Sequence, residues 1–479
     1  MNKRFSLFFL LYLIAFGNAI SSETLLIDDS LSISIPTEVP TIEAETLPLW
    51  VPFAEVMVQN TGVWLWDLHV LKKNYARISP SIWKRNLKAG WTWDNNHFAI
   101  NFFGHPYQGV HYHGAARSSG LGFYPSFFYD MTGSFVWEFF CEREYPSLND
   151  FITTSFAGAL YGEILYRLSE RLLAKPEPKW YDHAGAFVLQ PSTYLQRQVV
   201  GVLPNNPGYF PIDFSIYGGA GLRFGSDYRY DKTPASRLDE DWNEFFGFGG
   251  FNLTYGSPSR IMRNPLEYFT ISTSLELGQK ERLFNMELLT KLKNINKLSG
   301  NDWFDLATYA SYDVFYGDLV EMSSLSLGIG TDFKVWLRPS ISFRLKSIPS
   351  LVLLGSTDFN YDDILKEVYP DYEPTRTYQL NYGINYKTAF EISSKYGFIS
   401  NNVNVFVLKT MPSSEPHYGA TGWDVVGFNS SDMEVFLLKN LNLGLNLKLY
   451  FKIAAYHGKY FEPMSRTMET FGVYMRYLF

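Results

Sequence analysis

Residues 441–453 read LNLGLNLKLYFKI, and the chain closes at 471–479 with FGVYMRYLF. Leu441, Leu443, Leu445, Leu447, Leu449, Phe451 and Ile453 alternate with Asn442, Gly444, Asn446, Lys448, Tyr450 and Lys452. Successive side chains on a strand point to opposite faces, so this segment has one apolar face and one polar face. The last nine residues repeat the pattern, with Phe471, Val473, Met475, Tyr477 and Phe479 on one side. Alternation alone does not say which face is inside. A soluble cylinder of about twelve strands with an apolar interior would be too wide for its side chains to fill. The inverted arrangement, apolar outward, needs only a bilayer. The expectation is therefore a transmembrane barrel whose lumen is polar.

Working back from the C-terminus, period-two segments continue to about residue 209. Strands are expected at 209–225, 242–256, 266–278, 282–294, 302–317, 322–337, 342–360, 376–392, 396–409, 424–438, 441–457 and 465–479. The number is even, as single-chain bacterial barrels require. Pro339 and Pro349 interrupt the pattern between 322 and 360, and the polar stretches 226–241 and 361–375 read as long outer loops. The fold class expected is α+β: an N-terminal helical domain, then an antiparallel transmembrane barrel of about 12 strands.

Composition agrees. Aromatic residues make up 18% of the chain, enough for two interfacial girdles, while a mean hydropathy of -0.12 is too polar for a bundle of spanning helices. A net charge of -7 without clustered Lys and Arg argues against nucleic acid. Cys141 is the sole cysteine, which excludes an internal disulfide and a cysteine-based metal site.

The N-terminus reads as a secretory signal over 1–19: Lys3 and Arg4, an apolar run from Phe5 to Phe16, then Gly17 and Ala19 as small cleavage-site residues. Residues 20–47 hold six acids and no Lys or Arg, and read as a disordered acidic leader. Residues 48–175 take on helical texture. One helix is expected over 50–72, then a connector to Trp93-Asp94. Three helical stretches follow: from about Asn96 to Arg117 with Pro106 as a kink or restart, from Pro125 to Phe140, and from Ser147 to Leu173. Ser147 and Asp150 have capping-box spacing, which would account for Asp150. Gly158 and Gly162 form a ridge of small residues that lets another helix approach. Residues 176–208 read as a linker with one short helix near 192–203.

The helical region carries the densest motifs. They are His97-Phe98, Asn101, His105-Pro106-Tyr107, Gly109, Ala115-Ala116-Arg117-Ser118, Gly120, Gly133-Ser134, Trp137-Glu138, Pro146-Ser147, Asn149-Asp150 and Gly162-Glu163. In order and spacing this set resembles the bacterial envelope family known as domain of unknown function 3943, from roughly residue 48 to 175. The resemblance implies a helical region followed by a C-terminal barrel in the cell envelope, and it implies no reaction. His111 and His113 stand where an aromatic or small polar residue is expected, so they are set aside.

His97, Asn101 and His105 lie four apart, on one face of a helix. Glu138 and Glu163 supply carboxylates if the helices pack, and Arg117 would pair with one of them. With Asn149 and Asp150 these residues form a candidate polar network, for binding or for structure. If the protein is an enzyme, His105, Glu138 and Glu163 are the catalytic candidates. Neither Glu-x-x-His nor His-x-x-x-His occurs, so no metal and no cofactor is assigned. Gly-x-Ser-x-Gly is absent too, which leaves Ser118 and Ser134 as the nucleophiles to inspect.

A lumen of about twelve strands admits one helix and hardly four, which puts the helical domain in the periplasm. The functions expected are solute transport or envelope organisation at the outer membrane. Expected partners are outer-membrane lipid, a small solute or envelope protein, and the barrel-assembly machinery through the strand ending at Phe479. The alternatives are an envelope lipid hydrolase or transferase using the His/Glu set, and a scaffold that holds an envelope partner.

Overall fold

A computed structural model describes residues 46–201, 210–229, 240–298, 302–317, 320–373 and 375–479. The signal segment, nearly all of the acidic leader and residues 202–208 of the linker lie outside the described residues. The chain divides into two compact units, one ending at Pro211 and one running from Ile212 to Phe479.

The second unit is a closed antiparallel barrel. Its strands are β1 (Ile212–Arg229), β2 (Glu240–Tyr255), β3 (Phe269–Leu277), β4 (Arg282–Leu298), β5 (Trp303–Gly317), β6 (Glu321–Arg338), β7 (Ile341–Asp358), β8 (Tyr378–Ser394), β9 (Gly397–Thr410), β10 (Gly422–Leu438), β11 (Leu441–Tyr456) and β12 (Met464–Leu478). Each pairs with its sequence neighbours, and β12 returns to β1 in a register that sets Gly472 opposite Gly221. All twelve expected strands are present. β7 runs through Pro349, where its pairing with β6 passes from Gly328–Ser350 to Thr331–Ser347.

The surface is inverted relative to a water-soluble protein. On β11, Leu443, Leu445, Leu447 and Ile453 are exposed, whereas Asn442, Asn446 and Lys452 between them are buried. Lys452, Asp424 and Arg223 have no exposed surface at all. Exposed leucines beside fully buried charges are stable only if hydrocarbon solvates the outside. Some of the exposed aromatics sit toward the strand ends. Tyr316 and Trp423 lie at one end, and Trp336, Phe436 and Tyr477 at the other. At the latter end the turns 339–340, 395–396 and 439–440 are two residues long. At the former, the β7–β8 connection includes a helix, Asp362–Val368.

Among the described residues the first unit holds eight helices: α1 (Trp50–His69), α2 (Pro80–Ala89), α3 (His105–Ser118), α4 (Phe123–Val136), α5 (Leu148–Ile152), α6 (Gly158–Leu173), α7 (Trp180–Leu189) and α8 (Pro191–Val200). The barrel's short helix, Asp362–Val368, is α9. Three π-helical turns interrupt the unit, at Ile100–Gly104, Trp137–Cys141 and Thr153–Ala157. α3 crosses α6 on the expected glycine ridge. A Cβ on Gly158 would lie 2.6 Å from the Gly109 Cα, and one on Gly162 would lie 2.5 Å from the His113 Cβ.

Two expectations fail here. The connector before Trp93 contains α2, started by the Ser79 hydroxyl, which accepts from the Ile82 N–H, and by Pro80 in the first turn. The stretch read as a linker with one helix holds two, α7 and α8. α8 is tied into the unit by Arg197, which grips Glu170 on α6 at 2.9 Å and donates to the Ser118 carbonyl at 3.0 Å. Proline and lysine made 176–201 look like a spacer. Tertiary pairing of its polar residues makes it part of the helical unit.

α1 illustrates a cost inside this packing. Glu55 accepts hydrogen bonds from Gln196 (2.9 Å) and Gln59 (3.2 Å), but burial pushes its carboxyl up to about 7. A raised carboxyl pKa means the folded state binds the extra proton, so stability is highest below pH 4.5 and falls as pH rises through 7. Glu55→Gln should abolish that fall and stabilise the helices at pH 8 by on the order of 1–3 kcal/mol. Melting of the helical circular-dichroism signal at pH 5 and pH 8 checks this; a pH slope unchanged by the substitution refutes it.

Candidate functional site

The residues singled out in the sequence separate into two buried clusters and one exposed histidine. His97 is exposed and precedes the π-helical turn, while Asn101 and His105 are buried. The π turn closes its hydrogen bonds over five residues, so the four-residue spacing does not hold the three on one face.

The first cluster is built on Glu163 of α6, which has no exposed surface. Arg117 of α3 holds it by Nε–Oε2 at 2.6 Å and Nη2–Oε1 at 3.2 Å. Arg167, one turn along α6, donates to Oε1 at 2.8 Å. Nε2 of His113 lies 3.2 Å from Oε2, and Nδ1 of the same ring lies 2.8 Å from Asp130 on α4. Burial opposes every charge here, but the pairs override it at Glu163, Arg117 and His113. Arg117 and Arg167 hold the Glu163 carboxyl well below its usual range, and Asp130 and Glu163 raise the His113 imidazole above 6.5. Asp130 is pushed up to about 6, burial outweighing His113. Each charge faces an opposite one, the form of a register-fixing network. His113, set aside in the sequence, sits at its centre. What marked it is a helical face: His113 and Arg117 are four apart, and Gly162 opposite leaves the ring its space.

The second cluster joins His105, Glu138 and Asp150, from three separate segments. Nε2 of His105 is 3.4 Å from Oδ2 of Asp150, and its Nδ1 is 3.3 Å from the Thr154 hydroxyl. Asn149 donates to Oδ1 of Asp150 at 2.8 Å and to Asp94 at 2.9 Å, and Asn101 donates to Asp94 at 2.7 Å. The capping box is half formed. The Ser147 hydroxyl accepts from the Asp150 N–H, but the Ser147 N–H donates to Glu138 at 2.8 Å. Capping therefore does not account for the Asp150 carboxylate, which is free to face His105. Burial raises Glu138 and Asp150 well above the carboxylate range and lowers His105. Glu138 and Glu163 thus belong to different sites.

Ser118 donates to the Gly114 carbonyl at 2.6 Å, a helical back-bond, and neither it nor Ser134 has an imidazole among its hydrogen bonds in the described residues. The hydrolase reading gains no nucleophile from them.

The barrel holds a third feature, absent from the sequence candidates. A cavity of about 480 Å³ lies in the lumen. Its wall carries Lys346, Lys387, Lys448 and Arg476 against Glu276, Glu287, Glu391 and Asp432. Pairs span the barrel: Lys448 of β11 reaches Glu276 of β3, and Lys387 of β8 reaches Asp313 of β5, both at 2.7 Å. The cavity is roofed by Phe315 of β5 stacked on Phe428 of β10, ring centroids 3.7 Å apart, within a layer that includes Met322, Phe406, Tyr450 and Met468. Beyond that roof, Asp424 accepts from Thr357 and Gln379. Phe359, Tyr361, Tyr372, Tyr456 and Phe461 pack at the loop end with Leu365 of α9. Strand alternation signalled that these residues face inward, but not which of them meet across the lumen.

Residues 90–192 match the family model of domain of unknown function DUF3943. The match begins later and ends later than the 48–175 expected. The DUF3943 segment contains both buried clusters, and it runs through α7 to the start of α8. No curated protein shows significant sequence similarity to the chain. Among solved structures, the outer membrane protease OmpT from Escherichia coli aligns at 7% identity and a TM-score of 0.24, covering 56% of this chain and 97% of that one. The KdgM porin aligns at 8% and 0.21, over 54% and 99%. A TodX monoaromatic hydrocarbon channel mutant aligns at 6% and 0.23, over 56% and 91%. None of the three bears on what this chain does.

Proposed function

We propose that this is an outer-membrane barrel that takes a small polar solute carrying both charges into a closed lumen, with its DUF3943 unit on the periplasmic side. The observation that carries the reading is the cavity roofed by Phe315 and Phe428. Its walls hold four cations and four carboxylates, and its upper side is apolar. A standing diffusion pore would need a wet path through that layer. The three two-residue turns at the end where β1 begins, set against the helix-bearing β7–β8 connection opposite, support the usual orientation with both termini of the barrel in the periplasm, although the 256–268 connection at the first end is long. The closing strand, with Phe479 donating to the Phe214 carbonyl at 3.0 Å, supports recognition by the barrel-assembly machinery.

Equilibrium binding of a panel of amino acids and amino sugars to the detergent-solubilised protein tests the reading. At least one should bind. Lys387→Ala should weaken it about tenfold or more, the loss of one charged hydrogen bond. A barrel that binds none of them, or binds equally well without Lys387, defeats the proposal.

A further inference from the structure

We propose that His105, Glu138 and Asp150 bind one divalent transition-metal ion of the manganese-to-zinc group. They are the three His, Cys, Asp or Glu residues whose ligand atoms converge among the described residues, all within 4.8 Å of one another. Two ligands each about 2.1 Å from a tetrahedral ion stand about 3.4 Å apart. The His105 Nε2 to Asp150 Oδ2 distance is 3.4 Å, already the spacing of two ligands on one ion.

Each ligand is oriented by a second partner that occupies its other atom, as metal ligands are. Thr154 takes Nδ1 of His105, leaving Nε2 inward. Asn149 takes Oδ1 of Asp150, and the Ser147 N–H takes Oε2 of Glu138. The three π-helical turns of the unit all border this site. One ends immediately before His105, one contains Glu138, and one carries Thr154. Such turns sacrifice helix geometry and recur where side chains are placed for function.

The charge balance agrees. The charged neighbours acting most strongly on Glu138 are Glu142, Asp150 and Asp94, all acidic. The Glu163 cluster, by contrast, contains its own two guanidinium groups. A dication supplies what the His105 cluster lacks. One nitrogen and two oxygens suit manganese, iron, cobalt or zinc better than calcium or magnesium, which take oxygen alone. Three protein ligands leave coordination positions for water or a substrate oxygen.

The test uses the full chain in detergent, stripped with chelator and titrated with cobalt(II), then competed with zinc(II) and manganese(II). The expected result is one equivalent bound, with visible ligand-field bands that zinc displaces. His105→Gln and Asp150→Asn should weaken binding by about 100-fold or more, and Thr154→Val by about 10-fold. His97→Ala, at the exposed histidine, should leave it unchanged. Absence of stoichiometric cobalt binding by the folded wild-type protein overturns the site. So does a folded His105→Gln variant that binds as tightly as wild type. Should the ligand variants fail to fold, the wild-type spectrum and the Thr154→Val affinity decide, since that valine replaces only a hydroxyl. Solute binding in the barrel plays no part in this readout.

Discussion

Glu163→Ala should unfold the helical unit while leaving the barrel closed. The carboxylate answers Arg117, Arg167 and His113 at once, and of these Arg167 and His113 are buried. Breaking a buried ion pair by deleting one partner costs about 3–5 kcal/mol, because the other charge stays behind. Here two guanidinium groups stay behind, against a total stability of roughly 5–15 kcal/mol for a domain. Limited proteolysis should cut within α3–α6, and the helical circular-dichroism signal should fall, while the barrel retains its strand signal. Glu163→Gln, which keeps the shape and one acceptor oxygen, should be milder. The sign with pH follows from the lowered carboxyl. Its contribution is complete above pH 4.5 and is lost only as pH falls toward strong acid. An unchanged melting profile for Glu163→Ala would sink the structural reading of this cluster.

The second large effect concerns the lumen. In planar bilayers the wild-type barrel should carry no standing current, because the Phe315–Phe428 layer is apolar and a narrow apolar constriction excludes water. Phe315→Ala with Phe428→Ala removes both rings from the centre of the barrel. The layer beyond, around Asp424, Thr357, Gln379 and Lys452, is polar and can wet. The double variant should therefore flicker open. Combined with deletion of α9, which packs into the loop-end aromatic cluster through Leu365, it should conduct steadily. Steady wild-type current, or silence from the combined variant, contradicts the closed-lumen reading.

How much of this the chain's sequence disclosed differs between the two units. The barrel was legible almost strand by strand. Alternation such as Leu443-Gly444-Leu445-Asn446 is a property of adjacent residues, and it survives whatever the neighbouring strand does. Even Pro349, which looked like an interruption, is accommodated: the β6 pairing lapses beside it, while the β8 pairing runs through Pro349–Tyr386. The helix α8 was expected near 192–203, but its membership in the helical unit was obscured because the pairing of Arg197 with Glu170 spans 27 residues.

The candidate site residues were named individually and grouped wrongly. Glu138 and Glu163 stood together in the sequence reading as two helical carboxylates. Packing sends one to His105 and the other to His113. Asp150 looked explained by its spacing from Ser147, yet a backbone N–H has one bond to give, and Glu138 receives it. His97 fell away because a π turn changes the helical period just after it.

The sequence by itself determined the strands, their even number and the apolar outside, since each rests on a two-residue repeat read within one segment. Only the tertiary structure decided that Phe315 and Phe428 close the lumen and that His105, Glu138 and Asp150 share one pocket. Those contacts join residues on elements far apart in the chain, and a distance between elements is set by how they pack, not by the order in which they are written.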